Sequence, residues 1–426
     1  MRFDVIKNER LQDEYIKAVH DSGLNIYIYP QKEAASTYAI FGTDYGSINT
    51  RFRADKQDDF VEVPAGIAHY LEHKLFESED GDAFSKYAKT GASANAYTSF
   101  NMTCYLFSCT ENFKESLEIL LGFVTSPYFT EQTVNKEQGI IAQEIKMYDD
   151  DPHWKTMFNL LQALYHNHPV RVDIAGTVDS IKEITPEKLY RCYNCFYNLN
   201  NMAICIAGNV DVEETLKIIE ANLKTQKPVN PETIFPDEPE EVLKQRVEQR
   251  FEISMPMFQL GFKEKASRKR CSTKEIALTE ILLDIMASKI SPLYQELIEK
   301  KLINASSFSY EYFEGPGYAS IIFAGESKDP DKAATLIKNE AVRLHKEGIS
   351  QISFELAKKS VYGKALNAFN TADNIANNLI SFAFSCRDLF DYIEEIANAS
   401  IEDVTERLKN ELDINKSSLS VALPIK

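Results

Sequence analysis

A chain of 426 residues, 44% hydrophobic and 26% charged and without Gly-, Ser- or Gln-rich tracts, has a globular composition. At roughly 100–200 residues per domain it is long enough for two large or three small domains. Its formal charge of −17 argues against nucleic acid or anionic lipid as a partner, because both carry phosphate that needs Lys and Arg to neutralise it; a basic peptide suits it better.

The opening residues MRFDVIKNERLQDEY carry scattered charge and no apolar core of signal-peptide length. No later run approaches the ~20 apolar residues that span a bilayer, so a cytoplasmic location is expected. Two strand-like runs, LNIYIYP and STYAIFGTDYG, come first. Helices follow at Gly66–Phe76 and Ala83–Lys89, then strands at Ala94–Ser99 and Met102–Cys109. Two long helices are expected near Phe113–Thr125 and Glu131–Tyr148, and a strand at Met202–Ala207.

Between about Gln226 and Glu241 the sequence becomes KPVNPETIFPDEPEE, whose prolines and carboxylates resist both helix and sheet. This marks the domain boundary: 1–225, a Pro-rich acidic linker at 226–243, then 244–426. The second half repeats the order of elements, with a strand at Phe251–Lys263 and helices near Lys274–Ser288 and Pro292–Lys300. Strands at Ser306–Tyr312 and Ala319–Gly325 and several more helices complete it. That order predicts an α+β protein of two similar domains.

Seven cysteines form an odd count spread thinly, which does not look like a disulfide framework. Cys192 and Cys195 make a C-x-x-C, but in an aromatic helical pattern with no second pair nearby, and a core role is expected.

One short segment carries metal-ligand chemistry: His69-Tyr70-Leu71-Glu72-His73. On a helix, residues four apart share a face one turn apart, so both imidazoles can reach one ion while Glu72 lies beside them as a base. This H-x-x-E-H order is the inverted zincin motif. A catalytic zinc needs a third protein ligand and an open position. Glu137 and Glu144, seven apart and close to two full turns, lie on one face of the following long helix. One can bind metal while the other orients a ligand imidazole. Asp149, Asp150 and Asp151 are rival ligands, as are His166 and His168 in the loop-like HNHP.

HYLEH, then GASANAYTSFNMTCYLFS, EQGIIAQE, HPVRVDIAGTVDSI and NMAICIAGNVD, in that order, resemble the insulinase/pitrilysin clan of zinc peptidases. The likeness is to its small bacterial members related to mitochondrial processing peptidase. It implies two α/β sandwich domains related by pseudo-duplication, forming half of a clam-like chamber, with the second domain lacking the metal. It further implies that His69, His73 and Glu144 bind Zn2+, that Glu72 is the general base and that Glu137 stands behind the ligands. The stretch Ala94–Ser99 resembles the family's edge strand, to which an extended substrate adds as a further strand, with Asn95, Ala96 and Tyr97 as contacts.

The chain departs from the family in one place. Many members carry an Arg and a Tyr seven residues apart that bind substrate and stabilise the oxyanion, whereas SPLYQELIEKKLINASSFSY puts Ile298 and Ala305 there. A homologous partner subunit supplying both is therefore expected. The function expected is a zinc-dependent endopeptidase of short or unfolded peptides, leader peptides among them, acting as the metal-bearing half of a heterodimer. The alternative is a scaffold or assembly subunit that kept the fold.

Overall fold

In the computed structural model, which describes residues 1–79, 81–265 and 270–425, the run Asn25–Pro30 is buried at four consecutive positions and Met202–Gly208 along its whole length. Strands with no exposed face need cover on both sides, and the first sheet has it. Its strands are β1 (Phe3–Asn8), β2 (Asp13–Val19), β3 (Asn25–Pro30), β4 (Thr37–Thr43), β5 (Ser93–Thr98), β6 (Thr103–Cys109) and β7 (Met202–Gly208). They lie in the order β1-β2-β3-β7-β4-β6-β5, with only β3 and β7 parallel.

The first half contributes helices α1 (Ile67–Leu75), α2 (Ala83–Thr90), α3 (Phe113–Val124), α4 (Glu131–Asp149), α5 (Pro152–Leu164), α6 (Pro186–Phe196) and α7 (Val212–Asn222). The second contributes α8 (Thr273–Ala287), α9 (Pro292–Glu299), α10 (Pro330–Glu347), α11 (Gln351–Asn367), α12 (Ala372–Phe384), α13 (Leu389–Asn398) and α14 (Ile401–Leu408). Its sheet comprises β8 (Arg246–Phe251), β9 (Met257–Lys263), β10 (Ser309–Gly315), β11 (Tyr318–Glu326) and β12 (Ser417–Pro424). The order is β8-β12-β9-β11-β10, again with one parallel pair, β8 and β12. Strand for strand this repeats β3-β7-β4-β6-β5, so the α+β duplication expected from element order is present, and β1-β2 is an addition to the first copy.

Two compact units result: Met1–Ile145 with Asp173–Ile234 and Asn367–Phe390, and Lys146–Val172 with Phe235–Leu366 and Asp391–Lys426. The chain passes between them at Ile234–Phe235, inside the Pro-rich stretch, but the units are not simply the linear halves. In the first, one sheet face packs Ile26, Phe41 and Phe107 with Leu71, Leu121 and Ile141, and the other packs Tyr27, Ile40 and Cys205 with Ile375, Leu379 and Ile380 of α12. The second unit takes α5 in the same way. A Cβ on Gly42 of β4 would lie 2.9 Å from Ile380, and one on Gly261 of the matching β9 would lie 2.7 Å from Leu164. Each repeat thus places the corresponding helix on the other's sheet, and a bare glycine lets it approach.

Three sequence expectations are corrected. Phe251–Lys263 is two strands, because Ile253 N–H turns back to Phe251 O and Pro256 has no N–H for a ladder. The β1-β2 hairpin and β12 were missed: β12 is rich in serine yet buried at Ser417, Ser418 and Ser420. The proline-rich stretch is also less irregular than its composition suggests. Glu232–Thr233 pairs with Phe52 and Arg53, and Glu238 accepts the N–H groups of His166, Asn167 and His168 at 2.8, 2.7 and 2.9 Å.

Glu238 also accepts from the buried Lys263 ammonium at 2.6 Å. Burial opposes its charge, but these donors outweigh it and hold its carboxyl below the usual range. Glu238→Ala removes the carboxylate facing a buried lysine, leaving its ammonium only the carbonyls of Pro239 and Glu241, and is expected to cost about 3 kcal/mol in urea unfolding at pH 7. Because the folded-state pKa is depressed, this contribution is present above the unfolded value of about 4.3. It is lost as pH falls through the folded value, so wild type and variant should converge in acid.

Candidate functional site

α1 begins without a side-chain cap, on Gly66 at φ 88°. A Cβ at Gly66 would lie 2.3 Å from Ala175 O, and one at Gly176 2.5 Å from Ala65 O, so two backbones meet where no side chain fits. Ser180 Oγ donates to Ala65 O at 2.8 Å, and Tyr70 OH donates to Val134 O in α4. The turn after residue 172 and the start of α4 therefore fix the direction in which α1 aims its side chains.

From that frame His69 and His73 project toward α4. His69 Nε2 lies 3.6 Å from Glu144 Oε1, and His73 Nε2 lies 3.3 Å from Glu144 Oε2. His73 Nδ1 lies 3.0 Å from Glu137 Oε1. Among the described residues, His69, His73 and Glu144 form the group whose donor atoms all lie within 4.8 Å of one another. Ligands at about 2.0–2.1 Å from a tetrahedral zinc sit roughly 3.4 Å apart, so both the spacing and the two-imidazole, one-carboxylate donor set fit that ion. Glu137 engages Nδ1 of His73 and leaves its Nε2 aimed at Glu144, as a partner behind a metal ligand does. Among the described residues, nothing pairs with the buried Nδ1 of His69.

The rival ligands lie elsewhere. Asp151 caps α5 at Trp154 N–H and Asp149 pairs with Lys155. His168 donates from Nε2 to Pro316 O at 3.0 Å and accepts Val170 N–H through Nδ1 at 3.1 Å. Cys192 and Cys195 are buried thiols that burial pushes up to about 12, in keeping with a core role.

Electrostatics bind the cluster together. Burial alone would lower the His73 pKa, but its hydrogen bonds to Glu137 and Glu144 and the charge of Glu72 outweigh burial and raise it to about 10. The hydrogen bonds of His69 and His73 hold the Glu144 carboxyl far below its ordinary range. Burial pushes Glu137 upward, yet its bond to His73 leaves it lowered overall.

Glu72 adjoins His73 and is buried. Its Oε2 accepts a hydrogen bond from Thr98 Oγ1 at 2.6 Å, a contact that sequence reasoning did not find, since nothing in local spacing joins residues 26 apart. Thr98 ends β5, which lies at one edge of the sheet. Ser99 N–H donates to Met102 O, and since pairing alternates along an antiparallel ladder, Ala96 turns its N–H and C=O to the open side. Asn95 Oδ1 accepts that N–H at 2.9 Å. Tyr97 is the least available of the three predicted contacts, because its main chain faces β6 and its OH turns to Asn377. Ile298 is half-buried in α9 and Ala305 is exposed, and Tyr310 donates to Asp284 at 2.9 Å.

Residues 61–178 match the model described as Insulinase (Peptidase family M16), and residues 183–361 that described as Peptidase M16 inactive domain. The chain is 39% identical to the uncharacterized zinc protease YmfH of Bacillus subtilis (strain 168), over 98% of this chain and 99% of that one. It belongs to peptidase family M16, the insulinase family. A second B. subtilis relative, the uncharacterized zinc protease YmxG, is 25% identical over 72% of this chain and 76% of its own. Among solved structures, the M16-like peptidase of Alicyclobacillus acidocaldarius is similar with a TM-score of 0.92 and 32% identity, covering 100% of this chain and 99% of that one. In this M16 member the paired imidazoles and the glutamates lie within the segment matched by the insulinase model.

One consequence of the His73 environment is measurable. Below about pH 10 the metal-free imidazole keeps its proton, and a metal must displace it. Zinc loading at pH 7 should therefore release about one proton, and affinity should rise roughly tenfold per pH unit between about pH 6 and 8. Calorimetry in two buffers of different ionisation heat reads the proton directly; release of none would mean that His73 is already neutral.

Proposed function

We propose that this chain is a zinc-dependent endopeptidase of short or unfolded peptides, leader peptides among them, and that it works as the metal-bearing subunit of a heterodimer. The observation that carries the reading is the convergence of His69, His73 and Glu144 with Glu72 alongside, held by the end of an open sheet edge. His69 Nε2, His73 Nε2 and Glu144 would hold the ion. Zinc bound there supplies Lewis acidity and brings the pKa of a coordinated water toward neutrality.

The rest is work for the chain's own residues. Glu72 takes a proton from the attacking water as its oxygen bonds to the scissile carbonyl carbon, and returns a proton to the leaving amine as the C–N bond breaks. Glu137 keeps the His73 ring in place by its bond to Nδ1. A peptide adding as a strand beside β5 would meet the main chain of Ala96 and the side chain of Asn95, with Tyr97 supporting the strand from behind. Ile298 and Ala305 offer no side-chain donor for the oxyanion, which supports the view that a homologous partner subunit contributes an Arg and a Tyr.

A scaffold that kept the fold is the second reading, and the absence of a side-chain donor at Ile298 and Ala305 favours it; the match of residues 183–361 to an inactive domain fits either reading. Against it stands Glu72, since a scaffold gains nothing from a buried base between two metal ligands.

Cleavage of an unstructured basic peptide should be measured for wild type and Glu72→Gln, each with zinc, with chelator, and with the candidate partner subunit. Glu72→Gln should keep its zinc and lose roughly 10²–10⁴-fold in rate. The partner should add at least about 10²-fold, the order of one oxyanion donor. Full cleavage by the single chain removes the partner from the account but keeps the peptidase. No cleavage in any condition, with zinc shown to be bound, leaves the scaffold.

A further inference from the structure

We infer that Thr98 is the positioning residue for Glu72, fixing the carboxylate through its hydroxyl; this rests on the reading of Glu72 as the base. The direction of the bond is set by its neighbours. Thr103, the register partner of Thr98, places its hydroxyl 3.4 Å away but donates at 2.9 Å to Tyr45 O. The Thr98 proton is left for Glu72 Oε2, an acceptor-only group when ionised, and it lies there at 2.6 Å. The other oxygen, Oε1, makes no hydrogen bond to the described residues.

Thr98 is itself held firmly. It closes β5 just before a tight turn in which Ser99 N–H donates to Met102 O at 2.8 Å and Ser99 Oγ accepts the N–H of Met102 at 3.2 Å. Its side chain shares a face with Ala94 and Ala96, both packed against the helix-covered core on the side of α1. A glutamate on a helix surface otherwise samples several rotamers, and a charge-assisted hydrogen bond from a strand end selects one. The strand that would take an extended peptide and the base that would act on it then share one rigid reference.

The variants are Thr98→Val, which keeps the shape and removes the hydroxyl, and Thr98→Ser, which keeps the hydroxyl and removes the methyl. Three quantities are read for each: kcat and KM on the unstructured basic peptide, zinc affinity, and the Glu72 side chain in crystals of the zinc-loaded protein. Thr98→Val should lose roughly 10–100-fold in kcat, the usual cost of removing a supporting hydrogen bond. Its KM and zinc affinity should stay within about threefold, with the Glu72 carboxylate rotated or split over two positions. Thr98→Ser should recover most of the rate and the single position. Wild-type kcat or an unmoved Glu72 in Thr98→Val overturns the assignment, as does a Thr98→Ser as slow as Thr98→Val. If wild type cleaves nothing even with the candidate partner subunit present, the peptidase reading falls by itself, and the position of Glu72 in the crystal structures alone decides the role of Thr98.

Discussion

Three carboxylates and two imidazoles share one small volume between α1, α4 and β5, and that concentration of negative charge is the constraint on which the first unit depends. Glu72, Glu137 and Glu144 cannot all be ionised and out of water without positive charge among them. In the metal-free chain the charge comes from a proton held on His73 between two glutamates. A divalent cation answers the same demand and brings ligand geometry with it. The contacts that aim α1, from the Gly66–Gly176 backbone approach to Tyr70 on Val134, serve this convergence. A shift of α1 by a fraction of its pitch would leave unpaired charge, not merely a looser site.

The second unit meets the same demand differently. By strand order β10 matches β5, and by element order α8 matches α1 and α11 matches α4. On those matching elements Asp284 of α8 is buried, accepts from Tyr310 of β10 and pairs with Lys364 of α11. In the first unit a strand hydroxyl meets a helix carboxylate and the long helix brings a ligand. In the second a strand hydroxyl again meets a helix carboxylate, but the long helix brings an ammonium. A cation built into the chain needs no ion from solution and leaves no coordination position open. The two copies share a scaffold and differ in where their positive charge comes from.

What could be read from the sequence was what lies close along the chain. His69 and His73 are four apart and Glu137 and Glu144 seven apart, so helical geometry alone brings each pair to one face. Which glutamate faces the ligand nitrogens needed either the family resemblance or the structure, in which Glu144 lies against both Nε2 atoms and Glu137 takes Nδ1. Contacts that span the fold left no local trace: Thr98 on Glu72, Gly66 against Gly176, and Glu238 gathering three N–H groups from 166–168. β12 was invisible because serines 417, 418 and 420 interrupt its buried apolar run of Leu419, Val421 and Ala422, and the helix exchange because α5 and α12 have the same amphipathic pattern whichever sheet they cover.

The edge at β5 joins fold to chemistry. An open strand edge invites unwanted pairing, and proteins commonly blunt it. Here Asn95 does so by accepting the outward N–H of Ala96. An incoming strand must displace that bond, worth about 1 kcal/mol net, and repay it with its own carbonyl. Only a segment with free main-chain groups can make that exchange; a folded domain, whose backbone groups already pair internally, cannot. On the proposed reading, selection for extended peptide would be made at the backbone before any side chain is read, by the same six-residue strand whose last hydroxyl donates to Glu72.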